Sequence, residues 1–102
     1  MIEPEQTLSD TIANMWRGAE AVGGRLKITN HRVIFNSHMF NLQTGLTEIP
    51  LVDIAQVTPV NTFGLVPNGL CITLKSGIEH RFVVWGRNKL ITIIRANMPL
   101  SL

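Results

Sequence analysis

The sequence is poor in cysteine, in charge and in long apolar runs, and each shortage excludes a class of protein. Its single cysteine, Cys71, excludes an intrachain disulfide framework. Charged residues make up 16% of the chain, below the usual quarter, so charge repulsion does not hold it unfolded. No stretch approaches the roughly 18 apolar residues of a spanning helix, and the acidic start MIEPEQTLSD lacks the apolar centre of a signal peptide. We therefore expect a soluble, cytoplasmic protein.

The charge that is present is divided unevenly. The chain has 102 residues and 45% hydrophobic content, which suits one domain with one core. Its formal charge is +2, but the first 12 residues hold three acids and no base, which leaves nine bases against four acids, or +5, in the rest. A mildly basic body of this kind suits an anionic surface. It lacks the dense clustering of bases, interleaved with aromatic residues, that nucleic acid requires, so we expect no nucleic-acid partner.

The pattern of apolar residues predicts a mainly β fold with one C-terminal helix. Residues 1–5 form an acidic lead-in, residues 6–98 a single domain and residues 99–102 a tail. Up to about residue 86 the signals are those of short strands, with β-branched residues, alternation and frequent turn residues. From Arg87 to Met98 the spacing becomes helical, with one apolar side made of Leu90, Ile91, Ile94 and Met98.

Two hairpins can be placed by register. A two-residue turn at Asn30-His31 pairs Ile28 with Val33 and Leu26 with Phe35, which leaves three bases on the opposite face: Arg25, Lys27 and Arg32. A three-residue loop over 75–77 gives the second hairpin one apolar face, made of Leu70, Ile72, Leu74, Ile78, His80, Phe82 and Val84. A two-residue loop would turn half of that set outward.

Three other segments are less well determined. Residues 47–51 and 54–60 are predicted strands, joined at Val52-Asp53, and residues 61–69 are predicted to be a loop rich in apolar side chains. The N-terminal strand either covers residues 6–12, with 13–22 as a loop, or continues towards Ala21.

Side chains that could perform chemistry are few. His31 falls in a turn, His80 falls on an apolar strand face as a core or rim residue, and Cys71 is a lone strand cysteine, which usually packs as a small apolar residue. His31 and His38 are seven apart and lack a metal-binding motif around them. No glycine-rich segment opens a helix as a phosphate loop does. We predict no catalytic residues, no metal and no cofactor.

The candidate binding residues are basic. Arg25, Lys27 and Arg32 form either a solvated outer face or a site for a lipid headgroup or an acidic peptide, and Arg17 is a further candidate. Three bases near an anionic membrane supply about 3 kcal/mol, which is weak recruitment without a second element. That element could be Phe63, Leu65 and Val66, inserting into a membrane or docking a partner, unless they fold back to close the core. Trp16 and Trp85 are predicted to anchor the core or its rim.

The segment GGRLKITNHRVIF over residues 23–35 resembles the signature of GRAM domains. Later segments follow in that family's order: Glu48-Ile49-Pro50-Leu51, Asp53-Ile54, Leu74-Lys75-Ser76-Gly77 and Phe82-Val83-Val84. The resemblance covers residues 6–98 and implies a pleckstrin-homology-like barrel of seven bent antiparallel strands, closed by a C-terminal helix. It also implies a non-catalytic module that binds membrane lipids, often phosphoinositides, or proteins.

One departure from related headgroup binders affects the expected function. Those proteins carry bases around the loop between the first two strands, whereas residues 13–24 supply only Arg17, with Glu20 beside it. We therefore expect weak association with an anionic membrane through the basic strand face. The alternative is an adaptor that binds a protein partner or forms a homodimer, and that uses exposed strand edges and the 61–69 loop.

Overall fold

A computed structural model describes residues 4–37 and 46–99. Within them, seven strands form one antiparallel sheet in the spatial order β4-β3-β2-β1-β7-β6-β5, curled into a half-barrel. A 3₁₀ turn over Leu51–Asp53 joins β4 to β5, and one α-helix follows β7. The elements are β1 Thr7–Arg17, β2 Glu20–Thr29, β3 Arg32–Ser37, β4 Leu46–Pro50, β5 Ile54–Thr62, β6 Val66–Leu74, β7 Glu79–Val84 and α1 Arg87–Asn97.

The core lies on the concave side of the curled sheet, where alternate strand residues meet the apolar side of α1. Phe35 and Phe82 sit at its centre with ring centroids 5.8 Å apart. From α1, Leu90, Ile91 and Ile94 are buried, and the helix packs against β5 and β6. The predicted fold class and the predicted helix are therefore confirmed. The other core residues are Ala13, Met15, Val22, Leu26, Ile28, Val33, Ile49, Leu51, Ile54, Val57, Leu70, Ile72 and Val84.

Both predicted hairpin registers are confirmed. Ile28 pairs with Val33 and Leu26 with Phe35. In the second hairpin Ile72 pairs with His80, and the Leu74 N–H donates to the Ile78 carbonyl at 2.8 Å. The three-residue loop ends on Gly77, whose φ of +95° suits glycine.

The N-terminal strand does not end at residue 12, as the first of the two predicted alternatives had it. β1 continues to Arg17, β2 begins at Glu20, and the turn between them uses Gly18 at a φ of +60°. The predicted 13–22 loop is therefore wrong, and the continuing strand is closer to the structure. Alternation explains it, because Ala13 and Met15 point into the core from β1 and Val22 from β2.

The prediction of a loop over residues 61–69 is also wrong. β5 runs to Thr62, β6 starts at Val66, and the two residues pair directly. Only Phe63, Gly64 and Leu65 lie between the strands. Asn61, Pro67 and Asn68 are usual loop formers, yet here they belong to strands at the outer end of a hairpin.

The outermost strands among the described residues, β4 and β5, are poor templates for adding another strand. Pro50 ends β4 and Pro59 lies within β5, and proline has no N–H to offer a neighbour. Arg95 of α1 donates from Nη2 and Nε to the Val57 carbonyl of β5, at 2.6 and 3.2 Å. In the described part of the chain, no helix has the length and apolar character needed to cross a bilayer.

Candidate functional site

Arg25, Lys27 and Arg32, called here the basic face, share the outer side of the β2–β3 hairpin. Arg25 and Lys27 are two residues apart on β2, and Lys27 pairs with Ile34, two residues after Arg32 on β3. Side chains two residues apart on a strand point to the same side. The hairpin register therefore places the three bases on one surface.

Carboxylates from other strands and from the N-terminal segment occupy the same surface. Arg25 Nε donates to Asp10 Oδ1 of β1 at 3.0 Å. Arg32 binds both carboxylate oxygens of Glu5, through Nε at 2.9 Å and Nη2 at 3.0 Å, while its Nη1 reaches Glu48 Oε2 of β4 at 2.8 Å. Two of the three bases are thus held in ion pairs.

This pairing removes most of the field that three bases would produce. Three positive charges lie beside three carboxylates, those of Glu5, Asp10 and Glu48, so the formal charge of the surface is zero. Lys27 has no ion-pair partner among the described residues, and it lies directly across from Asp10 in the β1–β2 register. Each remaining base near an anionic membrane is worth only about 1 kcal/mol.

Arg17 does not join the basic face. It ends β1 opposite Glu20, seven residues before Lys27 on β2, a separation of about 23 Å along the strand. It also has the strand parity of the buried Met15, not that of the outward-facing bases. Arg17 belongs instead to the end of the sheet where the β5–β6 hairpin projects.

The end of the β5–β6 hairpin, residues 63–66, is called here the hairpin tip. Phe63 and Gly64 have φ values of +52° and +73°, and the Leu65 N–H donates to the Thr62 carbonyl at 3.0 Å, which makes a type I′ turn. Phe63 is 85% exposed and Leu65 83% exposed. The interpretation in which these residues fold back to close the core is therefore wrong.

Phe63 occupies a backbone conformation that favours glycine or asparagine. The left-handed region costs an ordinary L-residue about 1–2 kcal/mol. Strain of this kind persists where the surrounding structure enforces it, and it is concentrated at functional sites. Here it holds an aromatic side chain outward at the tip.

A cleft of about 510 Å³ separates the hairpin tip from the β1–β2 turn. Trp16 forms one wall and makes a T-shaped contact with Phe63, with ring centroids 6.1 Å apart. Arg81 supplies a cation at the rim, only loosely associated with Glu79 at 3.6 Å. The cleft is therefore largely apolar, with a positive group at its border. Its remaining lining comes from Gly18, Ala19, Val60, Asn61, Thr62, Gly64, Gly69 and Phe82.

Trp85 lies on the outer side of the sheet and does not anchor the core. It is 85% exposed, just after the buried Val84, and Gly86 at a φ of +70° turns the chain into α1. With Ile12, itself 59% exposed, it lines a shallow groove of about 150 Å³. The anchor prediction is wrong for Trp85, whereas Trp16 is half-buried as a rim residue.

Comparison with known proteins identifies the family. The model of the GRAM domain matches residues 1–87. The chain belongs to the GRAM domain family. Domains of this family and of the pleckstrin-homology-like class are generally non-catalytic binding modules, and many bind lipids or proteins. No curated protein matches the chain.

Solved structures confirm a pleckstrin-homology-like fold for this GRAM domain. The C-terminal domain of an unknown protein from Leishmania infantum superposes with a TM-score of 0.78 at 16% identity, covering 92% of this chain and 84% of that one. The human ARAP2 N-terminal PH domain gives 0.71 at 13%, covering 92% and 86%. The Vps36 N-terminal PH domain gives 0.65 at 18%, covering 96% and 80%. At these identities the likeness concerns the fold.

Among the residues that the structure describes, the cysteine and the histidine of the β6–β7 hairpin lie apart. Cys71 pairs with Arg81, while His80 pairs with Ile72, so the thiol and the imidazole lie on opposite faces of the sheet. Cys71 is buried, and partial burial lowers the pKa of His80 below its ordinary value. Within residues 4–37 and 46–99 no three His, Cys, Asp or Glu side chains are grouped as metal ligands, and His38 lies outside those residues.

One arginine connects the helix of the GRAM domain to the projecting hairpin. Arg87 Nη1 donates to the Val60 carbonyl of β5 at 2.8 Å and to Asn61 Oδ1 at 3.1 Å. It also lies 3.4 Å from the Gly69 carbonyl of β6. Arg87 therefore fixes both strands at the base of the tip, a role that its position at the start of a helix did not indicate.

Proposed function

We propose that this GRAM domain is a peripheral module that associates weakly with the anionic, cytoplasmic face of a membrane, led by the hairpin tip. The observation that carries the proposal is the exposure of Phe63 and Leu65 on a strained turn. The sequence alone allows these side chains either to project outward or to fold back onto the core. Arg81, which lines the cleft, supports the proposal as the cation nearest the tip, and Arg17, which lies in sequence between the lining residues Trp16 and Gly18, is the second candidate for a lipid phosphate.

Magnitudes favour the tip over the basic face. Fully burying a Phe or Leu side chain stabilises by about 1.5–3 kcal/mol, so Phe63 and Leu65 together supply roughly 3–6 kcal/mol. Each neighbouring cation adds about 1 kcal/mol on an anionic surface. The sum corresponds to dissociation constants from about millimolar to micromolar. By contrast, the paired bases of the basic face contribute little net attraction.

The protein-interaction alternative has support from a different surface. Strand addition is disfavoured, because Pro50, Pro59 and the Arg95 contact to Val57 obstruct the two edges. Trp85 and Ile12, however, place exposed apolar side chains side by side on the outer sheet face. A partner protein or a second copy of the chain is the second candidate at that surface.

Vesicle sedimentation tests the proposal. The purified domain is mixed with neutral vesicles or with vesicles containing anionic lipid, at low and at physiological salt. In the test variant, Phe63→Asn with Leu65→Ser, asparagine suits the turn conformation and both apolar anchors are lost. A matched control, Ile78→Ser, removes a side chain that is 56% exposed at the other end of β6. A triple variant carries Arg25→Ala, Lys27→Ala and Arg32→Ala.

The tip variant is expected to bind anionic vesicles at least about 100-fold more weakly, the factor that a loss of about 3 kcal/mol corresponds to, while Ile78→Ser binds like the parent. Unchanged binding of the tip variant, together with loss in the triple variant, would assign recruitment to the basic face. Absence of vesicle binding even at low salt would end the membrane proposal. Sedimentation equilibrium of a Trp85→Ser variant would then test the second candidate.

A further inference from the structure

Residues 4–6 lie across the β2–β3 turn in the way that a bound peptide lies in its site. They precede β1, whose first residue, Thr7, pairs with Thr29. Their contacts are made by the turn segment 29–32, at the far end of β2 from the cleft. One set of these contacts is made to the Glu5 side chain, and the other is made to the backbone of Pro4 and Gln6.

The side-chain contacts recognise a carboxylate. Arg32 holds both oxygens of Glu5 with parallel N–H bonds of 2.9 and 3.0 Å, the fork geometry that distinguishes arginine from lysine. The Thr29 hydroxyl donates to Glu5 Oε2 at 2.8 Å. Thr29 is only 1% exposed, and its oxygen accepts the N–H groups of His31 and Arg32, both at 3.0 Å. These two N–H groups orient the Thr29 hydroxyl, which has the Glu5 carboxylate and, at 3.2 Å, the Arg32 carbonyl as its acceptors.

The backbone contacts recognise an extended peptide on both sides of that carboxylate. Asn30 Nδ2 donates to the Pro4 carbonyl at 3.1 Å, and Asn30 Oδ1 accepts the Gln6 N–H at 2.7 Å. The Asn30 N–H donates to the Gln6 carbonyl at 3.2 Å. Asn30 thus forms hydrogen bonds with the backbone on both sides of Glu5.

We propose that Thr29, Asn30 and Arg32 form a binding site for an extended acidic peptide with a central glutamate, and that residues 4–6 of the chain occupy this site themselves. A peptide is favoured over a lipid headgroup because Asn30 engages amide groups on both flanks of the anion. Glu48, which holds the third nitrogen of Arg32 at 2.8 Å, also disfavours the larger charge of a phosphate. The site lies away from the hairpin tip and is independent of the proposed membrane function.

Occupation by the chain's own segment keeps the site closed to other ligands. A linked segment competes at an effective concentration of about millimolar or higher, so a free peptide of similar affinity is excluded from the intact site. Displacing the segment opens the site and leaves the Arg32 fork available. The acidic N-terminal segment is, on this account, an internal competitor for acidic partners.

The test uses the full chain carrying Glu5→Ala and Gln6→Pro, which removes the carboxylate and the N–H that Asn30 accepts. The probe is a blocked hexapeptide with the sequence of residues 2–7, and the control probe replaces its central glutamate with glutamine. Binding is followed by ¹H–¹⁵N correlation spectra, through the Asn30 side-chain amide and the Arg32 Nε–H. Unchanged signals from the hairpin tip show that the variant remains folded.

The opened chain is expected to show saturable shifts at residues 29–32, with about tenfold weaker binding of the glutamine peptide because a charge-assisted bond is lost. The parent chain is expected to bind the glutamate peptide about tenfold more weakly than the opened chain. Adding Arg32→Lys to the opened chain is expected to weaken binding, whereas Glu48→Gln preserves it. Equal binding of both peptides, or no saturable shift, would overturn the proposal. A gain of anionic-vesicle binding without peptide binding would reassign the site to lipid.

Discussion

The adjacent glycines of β2 provide the sharpest test of the fold, because alanine should destabilise the domain strongly at one position and hardly at the other. A Cβ at Gly24 would lie 2.3 Å from the Asn36 carbonyl oxygen, 2.7 Å from Phe35 Cζ and 2.9 Å from Ser37 Cα. Two of these atoms are backbone of β3, so no side-chain rotation relieves the contact. At Gly23 the nearest atom is the side-chain oxygen of Asn14, at 3.3 Å.

The magnitude for Gly24→Ala follows from these contacts. Accommodating the methyl group requires β2 and β3 to separate by about 1 Å beyond their usual spacing of about 4.8 Å. Overpacking costs about 1–3 kcal/mol, and a weakened ladder bond about 1 kcal/mol more. Replacing a strand glycine returns about 0.5–1 kcal/mol of backbone entropy. The net expected loss is about 2–3 kcal/mol for Gly24→Ala and less than about 1 kcal/mol for Gly23→Ala.

Urea and thermal unfolding followed by far-ultraviolet circular dichroism measure both variants against the parent. For a domain of this size the loss at Gly24 corresponds to a fall in Tm of about 10–20 °C, with little change at Gly23. Equal effects at the two positions, in either direction, would contradict this prediction, because β3 backbone closely approaches Gly24 and not Gly23.

Four further outcomes are expected. Ile94→Ala, at a fully buried helix position, should lower the free energy of unfolding by about 2–5 kcal/mol in urea titrations. The Arg32 and Thr29 hydrogen bonds lower the pKa of Glu5 from 4.5 to about 2. Its contribution to the free energy of unfolding should therefore be complete above pH 4.5 and lost as the pH falls towards 2, and Glu5→Gln should remove this dependence of stability on pH. Burial lowers the pKa of His80, so the unfolded chain binds its proton first and stability should decline as the pH falls through 6.5, less steeply in His80→Gln. Cys71 should react with a thiol reagent at the rate of unfolding, and faster reaction would show that the strand opens locally.

The parts of the fold that follow from strand alternation could be predicted from the sequence. The two hairpin registers depend on keeping apolar residues on one face, and Leu26 opposite Phe35 and Leu70 opposite Phe82 satisfy that condition. The helix at 87–97 follows equally from its apolar spacing. These are local patterns, which tertiary contacts reinforce.

The missed features depend on contacts between distant residues or on apolar side chains that face outward. The outer part of the β5–β6 hairpin resembles a loop in sequence because Asn61, Pro67 and Asn68 are usual loop formers. Separately, Phe63, Leu65 and Trp85 are exposed, whereas sequence interpretation assigns such residues to the core. The partners of Arg32 are 27 and 16 residues away, at Glu5 and Glu48, so a count of bases could not show that the surface is neutral. The position of an exposed acid in the sequence does not indicate which base it will pair with in the fold.

The Arg87 contacts have a kinetic consequence for the proposed association through the hairpin tip. Because one guanidinium bonds to carbonyls on both strands at the base of the hairpin, the tip is restrained there before any encounter. A loop that must order on contact loses about 0.5–1.5 kcal/mol for each immobilised flexible side chain, in addition to its backbone entropy. A tip that is already ordered avoids much of that loss, so its association rate is limited by collision and orientation rather than by folding. On the proposed membrane function, weak contacts made by such a tip would form and release quickly.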